Sequence, residues 1–293
     1  MVVNILQRIG YALLLWIGAG VAVSLALALV PDAGAASFGQ RLGTNLTTFF
    51  TFDYVGRRSE NFPLSVVLLN RSLLSFTLIG GALLMALGLG VSAGVPAALK
   101  PRNRLVGLWT GFLNTLSAMP VLVFGILTIL LVTRLGGTPP FRLALETAGG
   151  GGILVIYLLP MLTLAVGDNL LADIARTLQT ETTRLLDQDY IRAARARNVG
   201  LRRHLIRTLT PVTISALAGK TAYLIGGSVV VEYVFGWPGL GFQVLEILTT
   251  EGPKDYPFIL AATTLFVGLT VLLNLASDLA VLASDPRLRT APA

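Results

Sequence analysis

Ser72-Leu-Leu-Ser-Phe-Thr-Leu-Ile-Gly-Gly-Ala-Leu-Leu-Met-Ala-Leu-Gly-Leu-Gly-Val-Ser-Ala-Gly-Val-Pro-Ala-Ala-Leu99 runs for 28 residues without a charge. About 20 apolar residues suffice for a helix to cross the hydrocarbon core of a bilayer. Gly80, Gly81 and Pro96 would weaken an isolated helix in water. In a membrane bundle neighbouring helices satisfy the freed backbone groups, and small residues admit close packing. Five further stretches have the same character: Ile9–Val30, Leu105–Thr133, Thr147–Gly167, Pro211–Val231 and Pro257–Ser277. Only Lys220 interrupts the fifth of the six runs. Period-2 alternation dominates none of them, which argues against a transmembrane β-barrel. The expected fold is an all-α integral membrane protein with six transmembrane helices, at 9–30, 72–99, 105–133, 147–170, 211–233 and 257–281.

Composition agrees. Of 293 residues, 54% are hydrophobic and 13% charged, against about 25% charged in soluble domains. The first run has Arg8 before it and Ala33-Gly34-Ala35 after it, as a cleaved signal peptide would. Its apolar stretch is longer than the roughly 7–15 residues of a signal core, so a retained helix is expected. The net charge is +7. Lys and Arg divide 14 to 7 between alternate loops, with Lys220 inside a span. The richer set includes Arg8, Lys100, Arg102, Arg104 and eight Arg between 176 and 207. By the positive-inside rule both termini lie in the cytoplasm. Topology thus accounts for the basic excess, and nucleic acid is not needed as a partner.

Enzymatic chemistry is hard to place in this chain. There is no cysteine and a single histidine, His204, which excludes a thiolate nucleophile and a multi-His metal site. No Walker-type loop, Gly-x-Ser-x-Gly elbow or His-Glu-x-x-His is present. No catalytic or metal-binding residue is assigned. If ATP drives this protein, the nucleotide and its Mg²⁺ bind elsewhere.

The connections carry more information. The outer segment 31–71 is long, and Asn61-Phe62-Pro63 is read as the start of a short amphipathic piece. A second outer loop holds Gly236-Trp237-Pro238-Gly239, a turn cluster whose indole suits the membrane interface. The inner segment 173–210 is read as three helices in succession. Asp189 caps a short one beginning at Tyr190, and Asn198 ends it in a left-handed conformation before Gly200. This short helix offers Tyr190 and Ile191 as apolar anchors and Arg192, Arg195 and Arg197 as charge-assisted donors. Ala193 and Ala194 allow close approach. The alternative is a basic loop that fixes topology and touches anionic lipid.

Tyr190-Ile-Arg-Ala-Ala-Arg-Ala-Arg-Asn198, with Pro211 thirteen residues on, resembles the cytoplasmic motif of permease subunits in binding-protein-dependent ABC importers. Arg192 stands for the usual Glu, Asn198 for the Gly, and Thr208 and Thr210 for the Ile and Leu. Gly226-Gly-Ser-Val-Val-Val-Glu-Tyr-Val-Phe-Gly-Trp-Pro-Gly-Leu-Gly241 is similar to the outer segment of the dipeptide/oligopeptide/nickel family. Asp255-Tyr256-Pro257, Asp285-Pro286-Arg287 and, more weakly, Pro31-Asp32 fit as well. The resemblance implies a bacterial inner-membrane transport subunit that works by alternating access. Its partners would be a second, paralogous permease, two ATPase subunits that bind ATP and Mg²⁺, and a periplasmic or lipid-anchored binding protein. The chain itself would bind no cofactor. Residues 190–198 with Gly200 would dock an ATPase, and Phe235, Trp237, Pro238, Gly239 and Gly241 would form the outer-loop motif.

Lys220 and Glu232 are placed on the candidate translocation path. Lys220 lies near mid-depth, where an ammonium must face the bundle interior, a partner acid or water. It either attracts an anionic group of the substrate or forms a structural pair. The competing functional class is a stand-alone secondary transporter or channel. Recovery of an ATPase with the chain, and ATP-dependent uptake, would separate the two.

Overall fold

The structure, a computed structural model, describes residues 2–30, 37–51, 58–59, 62–135, 150–197, 200, 202–250 and 255–284. Among the described residues, three helices are long and apolar enough to cross a membrane: α1 (Val2–Leu29), α3 (Leu64–Leu99) and α12 (Tyr256–Ser284). Three more candidate spans are bent pairs. α4 (Arg104–Ser117) meets α5 (Val121–Arg134) at 104°. α6 (Gly150–Val166) meets α7 (Leu170–Leu186) at 60°. α10 (Thr221–Phe235) meets α11 (Leu240–Thr249) at 70°. The expected all-helical membrane architecture is the one observed, with three to six candidate spans among the described residues where six were expected.

The spans differ from their expected bounds wherever a charge or polar group lies inside a helix. α3 begins at Leu64 and takes in Arg71, whose guanidinium bonds to Pro238 O within the bundle. The third run is broken at Ala118-Met119-Pro120 and is not one helix over 105–133. The fourth passes Asp168 and Asp173 and continues as α7 to Leu186. The fifth run is divided: α9 (Arg202–Gly219) passes through Pro211 and ends before Lys220, and α10 beyond it pairs with α11 as the candidate span. In the outer segment, Phe62-Pro63 pairs as a two-residue strand, β2, with β1 (Arg58–Ser59), and does not open an amphipathic helix on its own. The amphipathic piece is α2 (Phe38–Thr51), which buries Thr48 and Phe49.

In lipid the helices gain little from apolar contact alone, so close backbone approach and interhelical bonds decide the packing. α3 supplies Ala82, Ala86, Gly90 and Gly94 at every fourth position, and the two alanines are fully buried. α7 answers with Leu170, Leu171, Ile174, Ala175, Leu178, Thr182 and Leu185, all buried on one helical face. A Cβ added at Gly90 would lie 2.6 Å from Ile174 Cγ2. These two helices form the centre of the bundle, continued outward by Leu78, Ile79, Leu224, Trp237 and Phe258. At the edge, α1 packs on α12 and α2. Arg8 pairs with Asp278 at 2.8 Å, and the Trp16 ring lies 5.2 Å from that of Phe49. The Arg8–Asp278 pair puts the start of α1 and the end of α12 at the same end of the bundle.

Candidate functional site

Three clusters of polar residues interrupt this apolar bundle. The first is the short helix α8 (Asp189–Ala196), between α7 and α9. Its first N–H groups, those of Ile191 and Arg192, both donate to Gln188 O, so the helix starts one residue before the expected position. Ile191 is fully buried in its own chain. It therefore fixes the helix to the bundle and is not an anchor offered to a partner. Tyr190 remains 51% exposed, with its ring 6.2 Å from that of His204. Arg192 and Arg197 are exposed, and Ala193 and Ala194 are half-buried. Arg192 reaches Asp189 at only 3.8 Å on an open surface, a contact too loose to hold it. Gly200 is exposed, whereas the Arg195 side chain and Asn198 lie outside the described residues.

The second cluster is the outer motif. α10 ends at Gly236, whose φ of 63° is left-handed and favours glycine. The chain then folds back, with Trp237 N–H donating to Glu232 O at 2.8 Å. Trp237 is completely buried. Its indole N–H donates to Leu74 O at 3.2 Å, and its ring meets Tyr157 edge-on at 5.1 Å. The expected interfacial position does not hold, because the indole finds its acceptor inside the bundle. Glu232 is equally buried. Ser75 Oγ donates to Glu232 Oε1 at 2.6 Å and accepts from Leu240 N–H at 2.8 Å, while Glu232 Oε2 accepts from Phe242 N–H at 2.9 Å. Two orphan donors at the start of α11 are thus satisfied from α3 and α10. A Cβ at Gly239 would lie 2.5 Å from Ser75 Oγ, so no larger residue fits the knot. Arg71 Nη1 adds a 2.9 Å bond to Pro238 O. Phe235 and Gly241 are buried beside it.

The third cluster joins the helix breaks. Asp168 and Asn169 have φ of 54° and 64°, left-handed values that Asp and Asn tolerate better than most residues. Asp168 Oδ1 accepts from Val121 N–H at 3.0 Å and so caps α5, whose own N-cap is Pro120. Asp168 N–H donates to Met119 O at 3.0 Å, and Asn169 N–H to Ser117 O at 2.6 Å. Ser117 Oγ accepts from Ala172 N–H at 3.2 Å. One turn along α7, Asp173 forms an ion pair with Lys220 at the interruption between α9 and α10. The bends of spans three and four and the interruption of span five therefore meet at one level.

Lys220 follows Arg207 by 13 residues and precedes Phe235 by 15, which sets it about 20 Å of helix from either. An ammonium at the centre of a bilayer costs at least about 2.5–3.5 kcal/mol on insertion scales, and Asp173 is the acid paired with Lys220. Lys220 and Glu232, placed together on the candidate path by sequence, are in different surroundings: the first is half-open, the second enclosed. Sequence reading missed Ser75, Arg71, Asp168 and Asp173. For Asp173 the one hint was a lysine inside an apolar run that calls for a partner acid, and that acid stands 47 residues earlier, where no local spacing points. It was hidden by taking every charge as the end of a span. Among the described residues no group of three or more His, Cys, Asp or Glu is placed to hold a metal ion.

Residues 86–290 match the family described as "Binding-protein-dependent transport system inner membrane component". The chain belongs to this family. The match takes in the helix breaks, α8 and the outer motif together. Similar proteins include a peptide permease protein of Brucella ovis, 28% identical over 71% of this chain and 67% of its own length. The oligopeptide transport system permease protein OppB of Haemophilus influenzae is 31% identical, over 71% of this chain and 66% of its own. AppB, an oligopeptide permease of Bacillus subtilis, is also 31% identical, over 77% and 72%. The matched parts thus span about two thirds of the relatives' lengths. Together with its apolar helices, membership makes the chain a multi-pass component of an inner-membrane transport system.

Proposed function

We propose that this chain is one permease half of an ATP-binding-cassette importer. It forms part of the path for peptides or a similar small solute, with both termini in the cytoplasm. The relatives are named for peptides, oligopeptides, dipeptides, glutathione and nickel, which supports a small-solute cargo. ATP and Mg²⁺ belong to two separate ATPase subunits, the other half of the path to a second permease, and delivery to a binding protein outside.

The observation that carries the reading is the build of α8. An eight-residue helix is pinned to the bundle by Ile191 and presents Tyr190 and Arg192 outward, with the exposed Arg197 directly after it. Such a piece transmits a push from a docked partner to α7 and α9, the two helices it connects. The half-buried Ala193-Ala194 pair sets how close the partner can come. Ala194→Trp is expected to insert normally in the membrane and to lose the ATPase in a pull-down, with uptake lost in parallel. Normal ATPase recovery together with normal uptake would remove the docking role from α8.

A further inference from the structure

Two opposite charges inside the bundle take no part in docking. Lys220 and Asp173 pair across span five and α7, yet their side chains stay 36% and 37% exposed. An open ion pair is not compatible with contact to hydrocarbon. The surface around it is also unlike a lipid-facing one. Ser215 and Gly219 at the end of α9, and Tyr223 and Gly226 at the start of α10, flank Lys220 in the chain, and all four are exposed. A Cβ added at Gly219 or Gly226 would meet no atom within 4 Å. The Tyr223 hydroxyl lies beside the pair and bonds to Asp168 O at 3.4 Å. α1 by comparison exposes mainly leucines, Leu13, Leu14, Leu15 and Leu29 among them, together with Tyr11 and Gly18, and no ion pair among these residues.

We propose that Asp173 and Lys220 form a charge-matched site on the translocation path that parts to receive the two ends of a zwitterionic peptide. This rests on the peptide-importer reading above. The Asp173 carboxylate takes the peptide ammonium, and the Lys220 ammonium takes the peptide carboxylate. One ion pair is exchanged for two, and the site stays neutral before, during and after the exchange. No bare charge is exposed to the low dielectric at any stage. A solute with one charged end leaves either Asp173 or Lys220 without a partner. A solute with no charged end leaves the pair closed.

The natural absence of cysteine provides the test. Gly226→Cys places a thiol on the open face, about 9 Å along the helix from Lys220. In the complete, detergent-solubilised transporter, a water-soluble maleimide should label this chain. Trialanine should slow labelling by at least about 5-fold, the effect of one or two charge-assisted bonds. N-acetyl-trialanine amide, which lacks both charged ends, should not slow it. Adding Asp173→Asn and Lys220→Met together removes both charges without leaving either unpaired. That form should assemble normally and lose the protection. Absence of labelling, equal protection by both peptides, protection that survives the double substitution, or failure of the double variant to assemble would each overturn the proposal. ATP-driven uptake of trialanine into proteoliposomes by the unmodified transporter separates the two levels. Uptake without protection removes only the charge-pair site, whereas absence of both removes the peptide reading as well.

Discussion

The outer knot around Glu232 and the mid-span pair around Lys220 are both polar clusters in an apolar bundle, but only one is closed. Glu232 and Trp237 have no exposed surface, and both accept or donate bonds within the chain. Lys220 and Asp173 keep over a third of their side chains open. In hydrocarbon a closed cluster can be pure structure, since its cost is met within the fold. An open one requires something to cover it, whether water, a partner or cargo. The difference sorts the bundle's polar residues into those whose loss should unfold it and those whose loss should change what it carries.

The largest expected effect is at the knot. Glu232→Ala strips the acceptor from Phe242 N–H and from the Ser75 hydroxyl, at a cost of about 2–4 kcal/mol. The variant should give a low yield of monodisperse complex and early thermal inactivation. A stable Glu232→Ala complex with altered cargo preference would reverse the assignment and place Glu232 on the path.

A smaller effect is expected where the bends are stitched. Asp168→Ala loses the cap on Val121 N–H and puts a less tolerant residue at a φ of 54°, together costing about 1–2 kcal/mol. Asp168→Asn keeps an acceptor oxygen and the left-handed preference, so its thermal inactivation should stay near that of the parent. Equal losses in both variants would show that the carboxylate charge matters and the cap does not.

How much of this was legible in sequence depended on how charges were treated. The six apolar runs gave the spans because hydrocarbon admits few charges, and Asp189 gave the short helix almost to the residue. Taking each charge as a membrane boundary failed at Arg71, Asp168 and Asp173. Each has its partner inside the bundle: Pro238 O, Val121 N–H and Lys220. Those partners are 167, 47 and 47 residues away, beyond any local pattern. The break at Pro120 was visible as a proline, but its 104° bend depends on Asp168 capping the next helix. Likewise, an eight-residue helix has two sides, and nothing in Tyr190-Ile191 says which one turns inward.

That last point gives the smallest and most local test of closed against open. Ile191 and Tyr190 are neighbours on α8, one fully buried and one 51% exposed. Ile191→Val removes one methylene from a packed site and should cost about 0.5–1.5 kcal/mol. It should appear as a slightly earlier thermal inactivation, with ATPase recovery unchanged once the sample is folded. Tyr190→Ala removes an exposed side chain whose ring lies 6.2 Å from that of His204. It should leave thermal inactivation where it was and weaken ATPase recovery in a pull-down. If Tyr190→Ala destabilises the permease while Ile191→Val releases the ATPase, α8 presents the opposite face to its partner. The rule that closed residues hold and open ones act would then fail at the one surface where both kinds stand side by side.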